Sequence, residues 1–203
     1  MQPGLHIGQM TVLLRDQDRE FELAIEDIGL SAGQAAVLTG ASGAGKTLAL
    51  ELLGLLRAPS LTSEYSITDP DGDSKDLAGL WTRGTRNDAL ANVRGHLFGF
   101  VPQTGGLMPF LSVAENIALP QKLTGRIDLN WCSELIRRLG LSDVAHMAPG
   151  ALSIGQRQRT AIARSLSHRP AFVIADEPTA ALDPDSANAV LELLLEPSIQ
   201  NDT

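Results

Sequence analysis

The sequence contains one cysteine, Cys132, only eight aromatic residues (five Phe, two Trp, one Tyr) and no apolar run of membrane-spanning length. A lone thiol excludes an internal disulfide and fits a reducing compartment. Residues 1–8 lack the charged-then-apolar pattern of a signal peptide. A soluble, cytoplasmic chain without direct membrane insertion is therefore expected, any membrane association being peripheral and through a partner. Basic charge is scarce as well, since 16 Lys and Arg face 24 Asp and Glu, a formal net charge of −8. That balance argues against a nucleic-acid partner, which would need a basic face. Repeats and low-complexity tracts are absent. What is present is a 203-residue chain that is 43% hydrophobic, enough for one well-buried α/β domain or for a core with a small second lobe.

Short apolar runs at 10–14 and 21–25 flank the polar stretch 15–20 and predict two strands joined by a hairpin turn. A turn at 30–34 leads to 35–38, which reads as a buried strand. A helix is expected over 46–57, with Leu48, Leu52 and Leu55 at helical spacing and Pro59 as its stop. Residues 61–95 are the least legible part. Within them Asp69-Pro70-Asp71-Gly72-Asp73 lacks the remaining ligands of a calcium loop and reads as a solvated turn. Further on, a strand is expected at 96–101, helices at 112–122 and 129–139 punctuated by Pro109, Pro120 and Gly125, and a helix at 155–167 capped by Ser153. Trp131 is expected to pack, and His168 to cap the end of the 155–167 helix. The apolar run 171–175 suits a strand buried on both faces, and 185–195 reads as a helix with Pro197 beyond its end.

Two features carry chemistry. The first is Gly40-Ala41-Ser42-Gly43-Ala44-Gly45-Lys46-Thr47, which fits G-x-x-x-x-G-K-[ST] between an apolar run and a helix. Its glycines permit a tight turn whose amides face inward at a helix N-terminus and cradle phosphates. Lys46 reaches the outer phosphates in this pattern, and the Thr47 hydroxyl ligates Mg²⁺. The second is Asp176-Glu177 after the run 171–175. Two carboxylates at a buried strand end are costly unless they meet a cation. Asp176 can hold Mg²⁺ through water while Glu177 orients and deprotonates an attacking water; alternatively, the pair starts a helix as its N-cap. Beside the phosphate loop, the first alternative is preferred.

In this setting the chain resembles the nucleotide-binding subunit of an ABC transporter over nearly its whole length. Besides the phosphate loop it has Phe100-Val101-Pro102-Gln103, similar to the family's glutamine loop, and Leu152-Ser153-Ile154-Gly155-Gln156-Arg157-Gln158-Arg159, similar to its signature sequence. Val173-Ile174-Ala175-Asp176-Glu177-Pro178-Thr179 and Ala181-Leu182-Asp183 resemble its second acidic motif and aspartate loop. Leu107-Met108-Pro109 and the segment 112–120 look most like the lipoprotein-release and macrolide-efflux branch. The resemblance implies a phosphate-loop ATPase fold: a mostly parallel sheet with flanking helices, N-terminal antiparallel strands and a helical subdomain with the signature. One ATPase domain would span 1–203, with a nucleotide-binding core of 1–103 and 168–203 and a helical subdomain of 104–167. It further implies that ATP is held by Gly40, Ala41, Ser42, Gly43, Ala44, Gly45, Lys46, Thr47 and Leu48, with Thr47, Gln103 and Asp176 near Mg²⁺. Lys46, Gln103 and Glu177 would be catalytic, Glu177 as general base. Ser153, Ile154, Gly155 and Gln156 would engage the ATP of a second ATPase subunit, identical or not, across an interface that includes Asp183. The partner in the membrane would be a polytopic permease, driven by ATP-dependent closure and hydrolysis and placing the chain on the inner face of the cell membrane.

Three departures qualify the pattern. Ile154 stands where the signature has its first glycine, so retuned engagement is expected. Residues 10–20 contain no aromatic to stack on adenine; Leu14 or Arg15 covers the base, or it is held loosely, and Phe21 is expected to be a core residue of the second strand. The family's strand with a switch histidine after the aspartate-loop helix has no counterpart here: the four histidines (His6, His96, His146, His168) all precede that point. The alternative function is accordingly an ATP-binding regulatory or scaffold subunit with little hydrolysis.

Overall fold

The computed structural model describes residues 4–16, 19–68, 73–83 and 88–199. The chain divides into two compact units, one holding the residues up to Ala91 and the other spanning Asn92–Glu196.

In the first unit, β1 (Gly4–Asp16) and β2 (Arg19–Ser31) form an antiparallel hairpin with Leu14 opposite Phe21 and Met10 opposite Ile25. The ladder is longer than the apolar runs at 10–14 and 21–25, and towards its start β1 buries Leu5 and Ile7 as well. On its other edge β1 pairs with β3 (Leu61–Thr62) and β4 (Tyr65–Thr68), and β4 with β5 (Ser74–Asp76). Burial switches parity between Ile7 and Met10, so the sheet is covered on one face near its start and on the opposite face further along. Tyr65 is buried, packs its ring 5.5 Å from Trp81 and donates its hydroxyl to the Leu53 carbonyl; burial raises its pKa.

After β2 a turn closes with the Gln34 N–H on the Ser31 carbonyl at 3.1 Å, as the sequence suggests. The buried strand expected at 35–38 does not form: these residues pair with no strand, and Val37 and Leu38 are exposed. A strand needs a neighbour for its backbone groups, and apolar composition alone does not supply one. α1 (Lys46–Leu53) buries Leu48 and Leu52, with Leu55 just beyond it. It stops at Gly54, short of the expected residue 57, where the Gly54 N–H returns to the Leu50 carbonyl at 2.9 Å. Of the acidic turn 69–73, residues 69–72 lie outside the described residues. α2 (Asp88–Leu97) takes two residues from the strand expected at 96–101, since His96 bonds through Nδ1 to the Asn92 carbonyl one turn back.

The second unit is built on a parallel pair, β6 (Phe98–Val101) and β7 (Phe172–Ala175), in the register Phe98 to Phe172 through Val101 to Ala175. β7 is not buried on both faces as expected. β6 is its neighbour in the sheet, and only Ile174 of its four residues is buried. α3 (Val113–Thr124), α4 (Leu129–Arg138) and α5 (Ile154–Leu166) pack around a core that includes Val101, Ile117, Leu135, Leu141 and Ile162. α5 lies so close to β6 that a Cβ on Gly99 would stand 2.2 Å from the Ser165 carbonyl oxygen.

Caps set the helix starts. Ser112 and Ser153 begin α3 and α5 with reciprocal bonds to Glu115 and Gln156, and the Asp128 carboxylate accepts the Trp131 N–H at the start of α4. Pro120 lies inside α3, within the helix expected over 112–122, and the buried Ile117 and Gln121 on either side outweigh a cost of about 3 kcal/mol. One expected stop fails: α6 (Pro184–Ile199) runs through Pro197, and it lends Val190 and Leu193 to the core. Gln121 locks the helices together by bonding both the N–H and the carbonyl of Asp128 and donating to the Ser167 carbonyl at 2.7 Å.

His168 does not cap α5. It is 4% exposed and bonds through Nε2 to the Phe98 carbonyl at 3.2 Å. Trp131 packs on the core as expected, donates Nε1 to the Leu166 carbonyl and stacks under the Arg169 guanidinium.

Candidate ATP site

The phosphate loop occupies its expected place before α1. Gly43 and Gly45 have φ of 80° and 90°, and the Ala44 N–H closes a turn on the Ala41 carbonyl at 3.2 Å. Gly45 begins α1 with no side-chain cap, and the first turn carries no acidic residue. The helix start therefore carries neither a capping side chain nor an acidic residue of its own, which suits the binding of an external anion. Lys46 folds back and donates Nζ to the carbonyls of Gly40 and Ala41 at 2.8 and 2.9 Å. Ala41, Ser42, Ala44 and Thr47 are exposed, whereas the Leu48 side chain is buried, leaving only its backbone for a ligand.

Phe21 departs from its expected core position. Although it lies in β2, it is 37% exposed, and its ring reaches within 2.9 Å of where a Gly45 Cβ would stand. An aromatic ring therefore borders the end of the phosphate loop, from a position one residue past the 10–20 stretch.

In the second unit, strand register brings two expected catalytic residues together. Val101 stands opposite Ala175, and the pairing continues as the Asp176 N–H donates to the Val101 carbonyl at 2.9 Å. Two residues past the strand pair, Gln103 and Glu177 meet, with Nε2 donating to Oε2 at 3.1 Å. Asp176 is 6% exposed, while Glu177 is exposed and holds φ of 50°, a strained backbone for a glutamate. The helix-cap alternative for Asp176-Glu177 falls away, because turn structure follows β7 and the next helix starts at Pro184. That helix is capped by Asp183, whose carboxylate accepts the Ser186 N–H at 3.0 Å; this bond holds its pKa below the ordinary value.

Ser153 caps α5, accepting the Gln156 N–H at 3.2 Å, and Gln156 Oε1 accepts the Ser153 N–H at 2.9 Å. Ile154 is 65% exposed, so its added bulk points at solvent in this chain. A Cβ on Gly155 would make ordinary contact, at 3.5 Å, with Ala181 and Leu182 of the aspartate loop. Within the signature segment Gln158 donates to the Pro178 carbonyl at 3.3 Å, and one residue further along α5 escapes the motifs: Arg164, which donates to the carbonyls of Gly105 and Gly106. The signal for Arg164 is a single cation set into the run Ala161-Ile162-Ala163-Arg164-Ser165-Leu166.

A phosphate loop on an uncapped helix, with paired strand ends that present a carboxylate and an amide, defines a nucleotide-binding α/β protein of the phosphate-loop class. The profile of the ABC transporter family matches residues 25–180. The chain is 40% identical over 174 residues to the lipoprotein-releasing system ATP-binding protein LolD of Anaeromyxobacter dehalogenans, covering 84% of this chain and 68% of that protein. It is 38% identical over 180 residues to the macrolide export ATP-binding/permease protein MacB 2 of Aeromonas hydrophila, covering 87% of this chain but only 26% of that protein. The structure superimposes on the dimeric ATP-binding cassette MJ0796 bound to ADP and Pi with a TM-score of 0.81 at 26% identity, over 97% of this chain and 84% of the other. This chain belongs to the ABC transporter family, as one of its ATP-binding cassettes, and its relatives include the lipoprotein-release and macrolide-export branch. Among the described residues, no helix is long and apolar enough to cross a membrane.

Proposed function

We propose that this cassette binds and hydrolyses ATP, pairs with a second cassette around the nucleotide, and drives a polytopic membrane permease from the inner face of the cell membrane. The observation that carries this reading is the Gln103–Glu177 contact at the paired ends of β6 and β7; the start of α1, which has no side-chain cap, supports it independently. Lys46 leaves the Gly40 and Ala41 carbonyls for the outer phosphates, while the amides of residues 40–48 wrap the chain of phosphates. Glu177 orients the attacking water and takes its proton at a carboxylate oxygen, with Gln103 setting its direction. Ser153, Ile154, Gly155 and Gln156, at the start of α5, turn a second helix terminus toward the γ-phosphate held by the partner cassette, with Asp183 at the same interface. We assign the nucleotide core to 1–103 with 168–203 and the signature-bearing helical part to 104–167.

The donors Thr47, Gln103 and Asp176 are hard oxygen ligands that suit Mg²⁺, an ion that keeps several waters and phosphate oxygens in its shell. Among the described residues no group of three His, Cys, Asp or Glu forms a metal cage, which fits an ion that arrives with ATP. When bound, Mg²⁺ supplies charge neutralisation at the phosphates.

Equilibrium binding and phosphate release, measured on the full chain with its permease, test the reading. Lys46→Ala is expected to abolish ATP binding, whereas Glu177→Gln retains binding and loses about 10²- to 10⁴-fold in turnover, the usual contribution of a general base. Unchanged nucleotide affinity in Lys46→Ala, or unchanged turnover in Glu177→Gln, would refute it.

A further inference from the structure

Gln103 lies in the loop between β6 and α3, and the course of that loop is held by a residue outside every motif. Arg164, in the last turn of α5, donates Nη1 to the Gly106 carbonyl at 2.9 Å and Nη2 to the Gly105 carbonyl at 3.0 Å. Both glycines have positive φ, 75° at Gly105 and 55° at Gly106, and the Gly105 N–H returns to the Pro102 carbonyl at 3.0 Å. Gln103 therefore sits in a turn closed by a backbone bond on one side and clamped by a two-pronged guanidinium on the other. A planar fork with several donors suits two consecutive carbonyls, whereas an ammonium has a single point of attachment. Burial lowers the Arg164 pKa from its ordinary value, and the two carbonyl acceptors offset that desolvation.

The same helix reaches the other catalytic segment. Gln158 is buried and donates to the carbonyl of Pro178, the residue after Glu177. α5 thus holds the backbone on both sides of the Gln103–Glu177 contact, while its N-terminus carries Ser153.

We infer that Arg164 is a positioning residue: through Gly105 and Gly106 it fixes the glutamine loop so that Gln103 stays at hydrogen-bond distance from Glu177. Displacement of α5 at its signature end is transmitted by this clamp to the hydrolytic pair. The inference rests on Gln103 and Glu177 being that pair. Arg164 acts on turnover rather than on nucleotide affinity, since the phosphate loop lies in a different segment of the chain.

The test compares wild type, Arg164→Lys and Arg164→Gln in the full chain by hydrogen exchange and by ATP hydrolysis with the permease present. Exchange over 103–110 is expected to accelerate in Arg164→Gln and by less in Arg164→Lys, with α5 and the core around Ile117 and Leu135 unchanged. The kcat of Arg164→Gln is expected to fall by about tenfold to a hundredfold, the effect of a small misplacement of reacting groups, with KM for ATP retained and partial recovery in Arg164→Lys. Unaltered exchange over 103–110 overturns the clamp. Faster exchange throughout α5 and the core, or a KM that rises with the loss of kcat, overturns the positioning role in favour of a structural one. An inactive wild type would count against the hydrolytic pair alone, because exchange over 103–110 still decides for or against the clamp.

Discussion

His168 illustrates how burial assigns a residue a job that its type does not announce. Its ring is nearly inaccessible, its Nε2 meets the Phe98 carbonyl, and its Nδ1 has no hydrogen-bond partner among the described residues. Burial lowers its pKa, the Phe98 carbonyl partly opposes that shift, and Arg126 and His96 add to the lowering. The folded chain therefore keeps this imidazole neutral where the unfolded chain protonates it. Protons then favour the unfolded state, so the His168 contribution is fully present above the ordinary histidine value of about 6.5 and is lost as pH falls toward the depressed folded value. We predict that Tm declines between pH 7 and pH 5 in wild type, and that His168→Gln, which retains a donor for the Phe98 carbonyl but does not titrate, flattens the decline. Thermal melts across that range check it, and equal slopes in the two proteins would exclude His168 as the cause. The sequence could not supply this role, since the acceptor lies 70 residues away.

Elements were legible where their causes are local. Both serine-started helices follow from cap chemistry within four residues, and the phosphate loop from glycine spacing. Elements that depend on distant neighbours were not. The apolar run at 35–38 reads as a buried strand, yet its backbone has no ladder, and Pro197 reads as lying beyond the last helix although α6 runs through it, with Val190 and Leu193 in the core. The phosphate loop shows both influences at one position. Gly45 is demanded locally by φ of 90° and remotely by the Phe21 ring of β2, 2.9 Å from the site of a Cβ. Gly45→Ala is expected to cost about 1–2 kcal/mol from the left-handed backbone alone, with more from displacing the ring. In Phe21→Ala/Gly45→Ala the second part is relieved, so the two changes combine to less than their sum. Denaturant unfolding of the four proteins measures the coupling, and strict additivity would show that the ring does not press on the loop.

At the scale of the whole molecule, the proposed function has the ATP site completed by a second chain, which makes a prediction that no single-chain site shares. In that proposal each nucleotide meets the phosphate loop of one molecule and the Ser153 terminus of the other. A chain with Lys46→Ala carries a sound signature and a defective loop; a chain with Ser153→Arg carries a sound loop and a signature that has lost its hydroxyl cap, sets a cation against the positive helix end and fills the anion's place with a long side chain. Neither variant can form a complete site with itself. Mixed, they form a pair in which the sound loop of one faces the sound signature of the other, restoring one site in two. Phosphate release, assayed with the permease present, is therefore expected to be near background for each variant alone and to rise on mixing in proportion to the mixed pair formed. Cross-linking of differently tagged chains quantifies that pair. If it forms and turnover stays at background, the shared site is excluded, and ATP must be handled within one molecule. Recovery would further identify Ser153 as acting on the neighbour's nucleotide, because its own loop, intact in that chain, gains activity only when another molecule supplies the helix terminus.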